Sequence, residues 1–596
     1  MKNAAVAAMF DTMADIMEIK GENAFRVNSY RNVARVVRDL TEDIEHVHKD
    51  GRLQDLAGVG KSSAEKISQF LETGKMKAFE DLVKDFSVGA LEMLRIPHVG
   101  PKTVGRLMHD KGINSIEQLE KAIQKGDLEG LAGMGAKTVE NLKTGIAFLR
   151  ASAGRILLGK ALPVAQAIVA ALKEKVDMEA IEPAGSLRRL RETIGDIDIL
   201  TAVKPKGRTA KEADDIPGGK EVVEAFVSLP NVAEVLAAGG TKGSVRTEEG
   251  LQVDLRVVSP ESFGAALVYF TGSKAHNIKI RGIAVDKGLK VNEYGVFKGE
   301  ERVAGRTEEE VYKSLKLPWI PPELREDRGE VEAAALGKLP KLVTQEDIRG
   351  DLHAHTKHSD GALSVLEMAQ AAKAMGYSYI AITDHSPSLG VASGLNVARL
   401  KKQHAEIEAA RKALHGFQIL KGTEADILAD GRIDYPDDVL AGLDIVVASV
   451  HTRFGMSEKE MTERIIKAVR NPYVTAIGHL TGRLIGQRDT YQVDVGAVIA
   501  ACAEAGCALE LNSHMDRLDI TDTVCHQAKQ AGVKVLIGTD AHNSEHYWMM
   551  KLGVATARRG WLEKGDVLNC LEAEKLLEHV KSRRPTAGKR ARRSHR

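Results

Sequence analysis

Aromatic residues make up only 4% of this 596-residue chain, and no apolar run approaches the ~20 residues that cross a bilayer. A membrane-spanning helix is therefore not expected. The opening Met1-Lys2-Asn3 begins an amphipathic stretch without a signal-peptide pattern, so a cytoplasmic, nucleoid-associated protein is expected. The four cysteines (Cys502, Cys507, Cys525, Cys570) include no C-x-x-C pair, which excludes a zinc ribbon and a disulfide framework. They read as buried apolar thiols. A surplus of either charge is also missing. With a net charge of +1, bulk electrostatics argue neither for nor against nucleic acid. The local exception is Lys581–Arg596, with eight basic residues and no acid, read as a disordered tail drawn to polyanions.

What is abundant is histidine in one place: 14 of 19 lie after Gly350. Seven short apolar runs there each stop at polar groups. They are Asp351–Asp360, then runs ending at His385, Glu424, His451, His479, His514, and at Asp540 with His542. Helical stretches between most of them give the order of a parallel barrel whose strand ends converge on one mouth. Imidazole and carboxylate ligands must approach a metal from several directions, which strand ends around a barrel provide. His46-x-His48, an equally good pair with no later ligands, reads as solvated. This segment resembles the polymerase and histidinol phosphatase (PHP) family of metal-dependent phosphoesterases. The resemblance implies a distorted (β/α)7 barrel over 346–575. It also implies up to three divalent ions (Mn2+, Zn2+ or Fe2+) on His353, His355, Asp360, His385, Glu424, His451, His479, Asp540 and His542. His358, Asp384, Asn512 and His514 are expected to orient ligands or touch substrate.

Near the N-terminus a motif recurs three times, as Leu56-Ala-Gly-Val-Gly-Lys61, Ile96-Pro-His-Val-Gly-Pro101 and Leu131-Ala-Gly-Met-Gly-Ala136. Each precedes a helix. Such turns let backbone N–H groups approach a DNA phosphate without reading bases. The expected contacts are Gly58, Gly60, Lys61, Val99, Gly100, Lys102, Gly133, Gly135 and Lys137.

The middle of the chain carries a different chemistry. In Gly195-Asp196-Ile197-Asp198-Ile199, a strand would put both aspartates on one face. Asp254, in an alternating run, joins them if its strand lies alongside. Three like charges would repel without cations between them, so a two-ion site (Mg2+ or Mn2+) for phosphoryl transfer is expected. Gly185-Ser186 and Arg188-Arg189 just upstream form a candidate phosphate cradle.

Residues 1–318 resemble the family X DNA polymerases, on Gly185-Ser186 and Arg189, the three aspartates, and Tyr269-Phe270-Thr271-Gly272-Ser273 with Asn277 and Arg281. The likeness implies that Ser186, Arg189 and Arg155 contact the triphosphate, Tyr269, Phe270 and Gly272 its sugar, Asn277 the base, and Arg281 the template. It also places Lys66 where this family has a Schiff-base lysine for 5′-deoxyribose phosphate removal, flanked by Arg26 and Tyr30. Two departures are Lys274, where an acid is usual, and Leu190, where a glycine is usual.

The expected fold is multidomain, with an α-helical helix-hairpin-helix N-terminal part, an α+β nucleotidyltransferase palm with thumb, and the PHP barrel. The boundaries are 1–85 for a lyase-like DNA-binding domain, 86–151 for helix-hairpin-helix fingers, 152–260 for the palm and 261–318 for the thumb. A linker at 319–345, stiffened by prolines, the barrel at 346–575 and the tail at 576–596 complete the chain. Bacterial family X polymerases with a PHP domain are the group it resembles as a whole. The implied function is gap-filling synthesis in base excision repair with 3′ to 5′ exonuclease or 3′-end processing, extending to abasic-site cleavage. The expected partners are gapped or nicked double-stranded DNA and deoxynucleoside triphosphates, acted on by a monomer. A DNA-binding scaffold, or a small-substrate phosphatase with one inactive site, is the alternative.

Overall fold

The computed structural model describes residues 2–38, 40, 44–56, 58–84, 86–94, 96, 99–128, 131, 134–152, 155–203 and 216–584. Two compact units result, Met1–Ala153 with Arg483–Thr490, and Gly154–Gly482 with Tyr491–Arg596.

The first unit is helical. Helices Asn3–Ile19 and Ala24–Arg38 bury Phe10, Met13, Val33 and Val37 against each other. Each expected hairpin ends in a helix, Lys61–Thr73, Pro101–Lys111 and Ala136–Ser152, with Pro101 at a first-turn position that needs no N–H. Gly60 and Gly100 cap the first two without side-chain hydrogen bonds, so no cap side chain satisfies the leading N–H groups. The expected contact Gly133 lies outside the described residues.

The second unit begins with a five-stranded sheet in the order 178–183, 197–203, 252–258, 242–247, 232–238. Ile197–Val203 runs parallel to Gln252–Val258, so Asp198 is paired directly with Asp254. The alternation that suggested this strand is real: Ile197, Ile199, Val253 and Leu255 are buried on the face opposite the acids. A three-stranded meander, 290–292, 295–298 and 301–304, and helix Glu308–Ser314 follow.

Seven parallel strands then appear in chain order, 350–351, 379–382, 418–426, 445–449, 476–477, 508–512 and 535–538. Near-continuous apolar sequence suits strands covered on both faces. His355 N–H donates to the Ala541 carbonyl and Ala541 N–H to that of His353, so the chain beyond the first strand meets the chain beyond the last.

Two boundaries differ from expectation. Residues 319–345 are not a spacer: Ile320, Leu324, Val331, Ala334 and Leu342 share a core with Ile280, Val296 and Tyr312. Trp319 docks, its indole N–H donating to Glu308 at 2.9 Å. The tail likewise starts later than 576. Helix Ala573–Ser582 buries Leu576 and Val580, and Arg583 and Arg584 donate to main-chain carbonyls, including those of Ala505 and Leu443. Residues 585–596 lie outside the described part.

Candidate catalytic sites

Asp196, Asp198 and Asp254 offer carboxylate oxygens all within 4.8 Å of one another. The sheet does this without help from long loops, because the last two are register partners. Burial, then Asp196, then Asp254 push the Asp198 carboxyl up to about 7. Such a cluster fits cations, which would relieve the repulsion that now favours a proton. Gly185 backs it closely. At φ +60°, with a would-be Cβ 2.3 Å from the Asp198 carboxylate, this position admits no side chain.

The nucleotide-side residues are placed less simply. Ser186 opens the turn beside Gly185, but Arg189 is not free. Its Nε donates to Glu326 at 3.0 Å and its Nη1 to the Thr271 carbonyl at 2.5 Å. Arg155 similarly holds Thr193, through the hydroxyl at 2.9 Å and the carbonyl at 2.5 Å. Asn277 is buried and donates to the Tyr269 carbonyl, and Arg281 to that of Asn277. Tyr269 is exposed, Phe270 lies under Arg256, and Gly272 sits 3.2 Å, by its would-be Cβ, from the Arg189 guanidinium.

The barrel mouth gathers far more. Its described residues form three overlapping clusters: His355, Asp360, His385 and His542; His353, His355 and Asp540; and His385, Glu424 and His451. His479 joins through Glu424, 2.9 Å away. The sequence-predicted nine are thus contiguous. Glu424 faces His353, His385, His451 and His479 within 3.5 Å, the placement of a carboxylate shared between ions.

The protonation pattern says the same. Burial opposes charge at His385, yet Glu424 and Asp360 raise it to about 10. His451 rises to about 9 against burial through Glu424 and Asp426, and His542 to about 9 through Asp360 and Asp540. His355, enclosed by burial and by His542 and His385, falls to about 4. Carboxylates that draw protons onto three imidazoles are asking for positive charge, and divalent cations supply it while leaving the rings neutral. Among the described residues, buried His355 Nδ1 and His479 Nδ1 have no hydrogen-bond partner, which also fits metal coordination.

Supporting groups complete the centre. Asp384 accepts from Thr356, Ser359 and Gln403 and so fixes the loop carrying Asp360. Asn512 donates to Asp540 at 3.0 Å and accepts from the His514 N–H. His358 instead turns to Glu406, at 2.8 Å, and not to the ligands. Sequence reasoning missed Glu510, fully buried at 2.5 Å from His353 Nδ1 and 2.7 Å from the His479 N–H. The available signal was an acid inside the otherwise apolar run Ala508-Leu-Glu-Leu-Asn512. Asp426, 3.0 Å from His451 Nδ1, was missed in the same way.

In the helical unit, Arg26, Tyr30, Lys61 and Lys66 line a cavity of about 500 Å³. Lys66 Nζ donates to the Ser62 hydroxyl at 2.6 Å and lies 5.8 Å over the Tyr30 ring. Gly58 stands at φ +93° with its would-be Cβ 1.9 Å from Asn32, so the first hairpin requires glycine there. At Gly60, Gly100 and Gly135 a Cβ would meet nothing within 4 Å, so no neighbour among the described residues explains those glycines. Lys61, Lys102 and Lys137 stand in the first turns of the helices that follow. Val99, just before the second, is buried.

Comparison with known proteins agrees with these parts. Residues 1–76 match a helix-hairpin-helix domain, 90–147 a helix-hairpin-helix tandem, 266–326 the DNA polymerase beta thumb and 351–514 the PHP domain. A DNA polymerase/3′-5′ exonuclease PolX of Bacillus subtilis is 39% identical over 568 residues, 95% of this chain and 96% of that one. The chain belongs to the family X DNA polymerases that carry a PHP domain. Its barrel alone is similar to smaller proteins. A probable phosphatase of Caldanaerobacter subterraneus is 36% identical over 203 residues, 32% of this chain and 75% of that one. Another, of a Thermoanaerobacter species, is 32% identical over 250 residues, 40% and 96% respectively.

Proposed function

We propose that this chain is a DNA repair polymerase that extends a primer across a short gap at Asp196, Asp198 and Asp254. The same chain trims 3′ ends at the barrel mouth. The observation that carries the reading is the presence of two complete acid-rich constellations, each held by a sheet, in one family X chain.

Divalent cations, Mg2+ or Mn2+ at the three aspartates and up to three of Mn2+, Zn2+ or Fe2+ in the barrel, supply the charge neutralisation and nucleophile activation that both reactions need. At the first site Asp196, Asp198 and Asp254 hold those ions, while Ser186 and the N–H groups of its turn receive the triphosphate. Arg189 and Arg155 reach it by exchanging their present partners, Glu326 and Thr193. Tyr269, Phe270 and Gly272 line the sugar, Asn277 the base edge and Arg281 the template.

In the barrel the nine residues would hold the ions, Glu424 standing 3.0 Å from His385 and 2.9 Å from His479 among them. Glu510 and Asp426 fix the rings of His353 and His451 by accepting hydrogen bonds from Nδ1–H, which leaves each Nε2 free to act as a ligand. The hairpin glycines and lysines grip the duplex backbone without regard to sequence. Lys66, Arg26 and Tyr30 bind a 5′-phosphate at the gap, where the Lys66 amine is also placed for Schiff-base chemistry on a 5′-deoxyribose phosphate. A monomer acting on gapped DNA near the nucleoid completes the reading.

The test is extension and 3′ digestion on a single gapped substrate, comparing wild type with Asp198→Ala and His355→Ala. The expected result is loss of synthesis alone in the first and of digestion alone in the second. Failure of the wild type to extend, with ready hydrolysis of a small phosphate monoester, would favour a phosphatase with an inactive palm. Metal-loaded wild type that releases no mononucleotide would favour a scaffold.

A further inference from the structure

Arg559 ends the barrel helix Met550–Arg559, yet its guanidinium is only 4% exposed because it reaches into the polymerase half of the same compact unit. Its Nη1 donates to the main-chain carbonyl of Arg189 at 2.7 Å and to Glu326 at 3.0 Å. Its Nη2 donates to Asp522 at 2.7 Å. Glu326 is in turn the partner of the Arg189 side chain, at 3.0 Å. One barrel residue therefore holds both the backbone of Arg189 and the counter-ion of its side chain.

The peptide it grips is an awkward one. Leu190, which follows that carbonyl, stands at φ +54°, a left-handed conformation that crowds an ordinary side chain against the backbone. A backbone of this kind persists only where its surroundings fix it. Locally the turn has the Leu190 N–H to the Leu187 carbonyl and the Arg191 N–H to the Ser186 carbonyl. Among the described residues, the side-chain donor to the Arg189 carbonyl is Arg559, from the barrel.

We infer that Arg559 is a positioning residue for nucleotide binding, by which the exonuclease barrel holds the Gly185–Leu190 turn of the polymerase in its working shape. A guanidinium suits this task and an ammonium does not, because only the planar fork can serve a carbonyl and two carboxylates at once. The inference rests on the proposed role of Ser186 and Arg189 with the triphosphate.

The experiment is steady-state gap filling by the full chain, with 3′ digestion measured on the same preparations. In Arg559→Ala the KM for the incoming nucleotide should rise about tenfold, the worth of one lost buried charged hydrogen bond, with kcat changed less than about threefold. Digestion should stay at the wild-type rate. Adding Leu190→Gly, which makes the left-handed backbone cheap, should recover at least half of the lost affinity, a rescue that general loosening would not give. Should Arg559→Ala lose digestion as well, Arg559→Lys and its glycine double variant carry the same comparison with a smaller KM rise. An unchanged KM in either arginine variant, or no recovery with Leu190→Gly, overturns the inference. A wild-type enzyme unable to extend the primer would instead sink the polymerase reading on which it rests.

Discussion

The palm and the barrel solve the same problem, gathering acids around cations, in opposite ways. In the palm three carboxylates stand on the rim of an open sheet, none fully buried, and two of them are simply register partners. In the barrel His353, His355 and Glu424 are at most 2% exposed, and each is held by further buried groups. An open site of this kind is expected to exchange cations with each nucleotide that arrives, and a closed one to retain them. A third acid sharpens the contrast. Glu308 is as buried as the barrel ligands, but the protein itself supplies its cations, Arg188 at 2.7 Å and Arg325 at 2.7 Å.

The largest effect should come at the shared carboxylate. Glu424→Gln is expected to lower 3′ digestion by about a thousandfold or more while leaving gap extension intact, measured on one labelled duplex. Extension lost in parallel would erase the distinction between the sites. Glu510→Gln, which keeps the shape but weakens the grip on His353, should lower barrel metal affinity by about 10- to 100-fold in a competition titration with a chelating dye. An unchanged affinity would reduce Glu510 to packing.

The acid that needs no metal gives a pH test. Burial pushes the Glu308 carboxyl up, but the hydrogen bonds of Arg188 and the charge of Arg325 more than reverse this and hold it at about 2. A depressed folded-state value means stability that is complete above the ordinary glutamate range and lost as pH falls from about 4.5 towards 2. Glu308→Gln should therefore unfold more easily at neutral pH, by on the order of 3 kcal/mol, and the gap to wild type should narrow on acidification. Chemical denaturation at pH 7 and pH 3 measures both. A gap that is constant with pH would show that the ion pairs are not its source. Smaller still, Gly60→Ala should leave melting unchanged, since a Cβ meets open space, yet weaken binding to gapped DNA several-fold in a fluorescence titration.

The order of what was legible follows from distance along the chain. Strand ends and the D-x-D face announce themselves by local alternation, so His385, His451, Asp196 and Asp198 could be picked out before any fold existed. Glu510 could not, because an acid in an apolar run reads as an interruption until its partner, 157 residues away, is in place. Residues 319–345 look like a spacer because prolines and alanines carry no period, yet Ile320, Leu324 and Val331 find a core that other elements supply. The partners that Arg189 holds are equally invisible in the local run Arg188-Arg189. Its carboxylate lies 137 residues downstream and its backbone anchor 370 residues away, in another domain.

The ion content of the chain after extensive desalting, compared between wild type, Asp198→Ala and Glu424→Gln, tests the contrast between an exchanging site and a retaining one most directly. The account predicts divalent ions carried through by wild type and in equal amount by Asp198→Ala, with most of them lost from Glu424→Gln. A wild type stripped bare, or an Asp198→Ala that loses as much as Glu424→Gln, would contradict it.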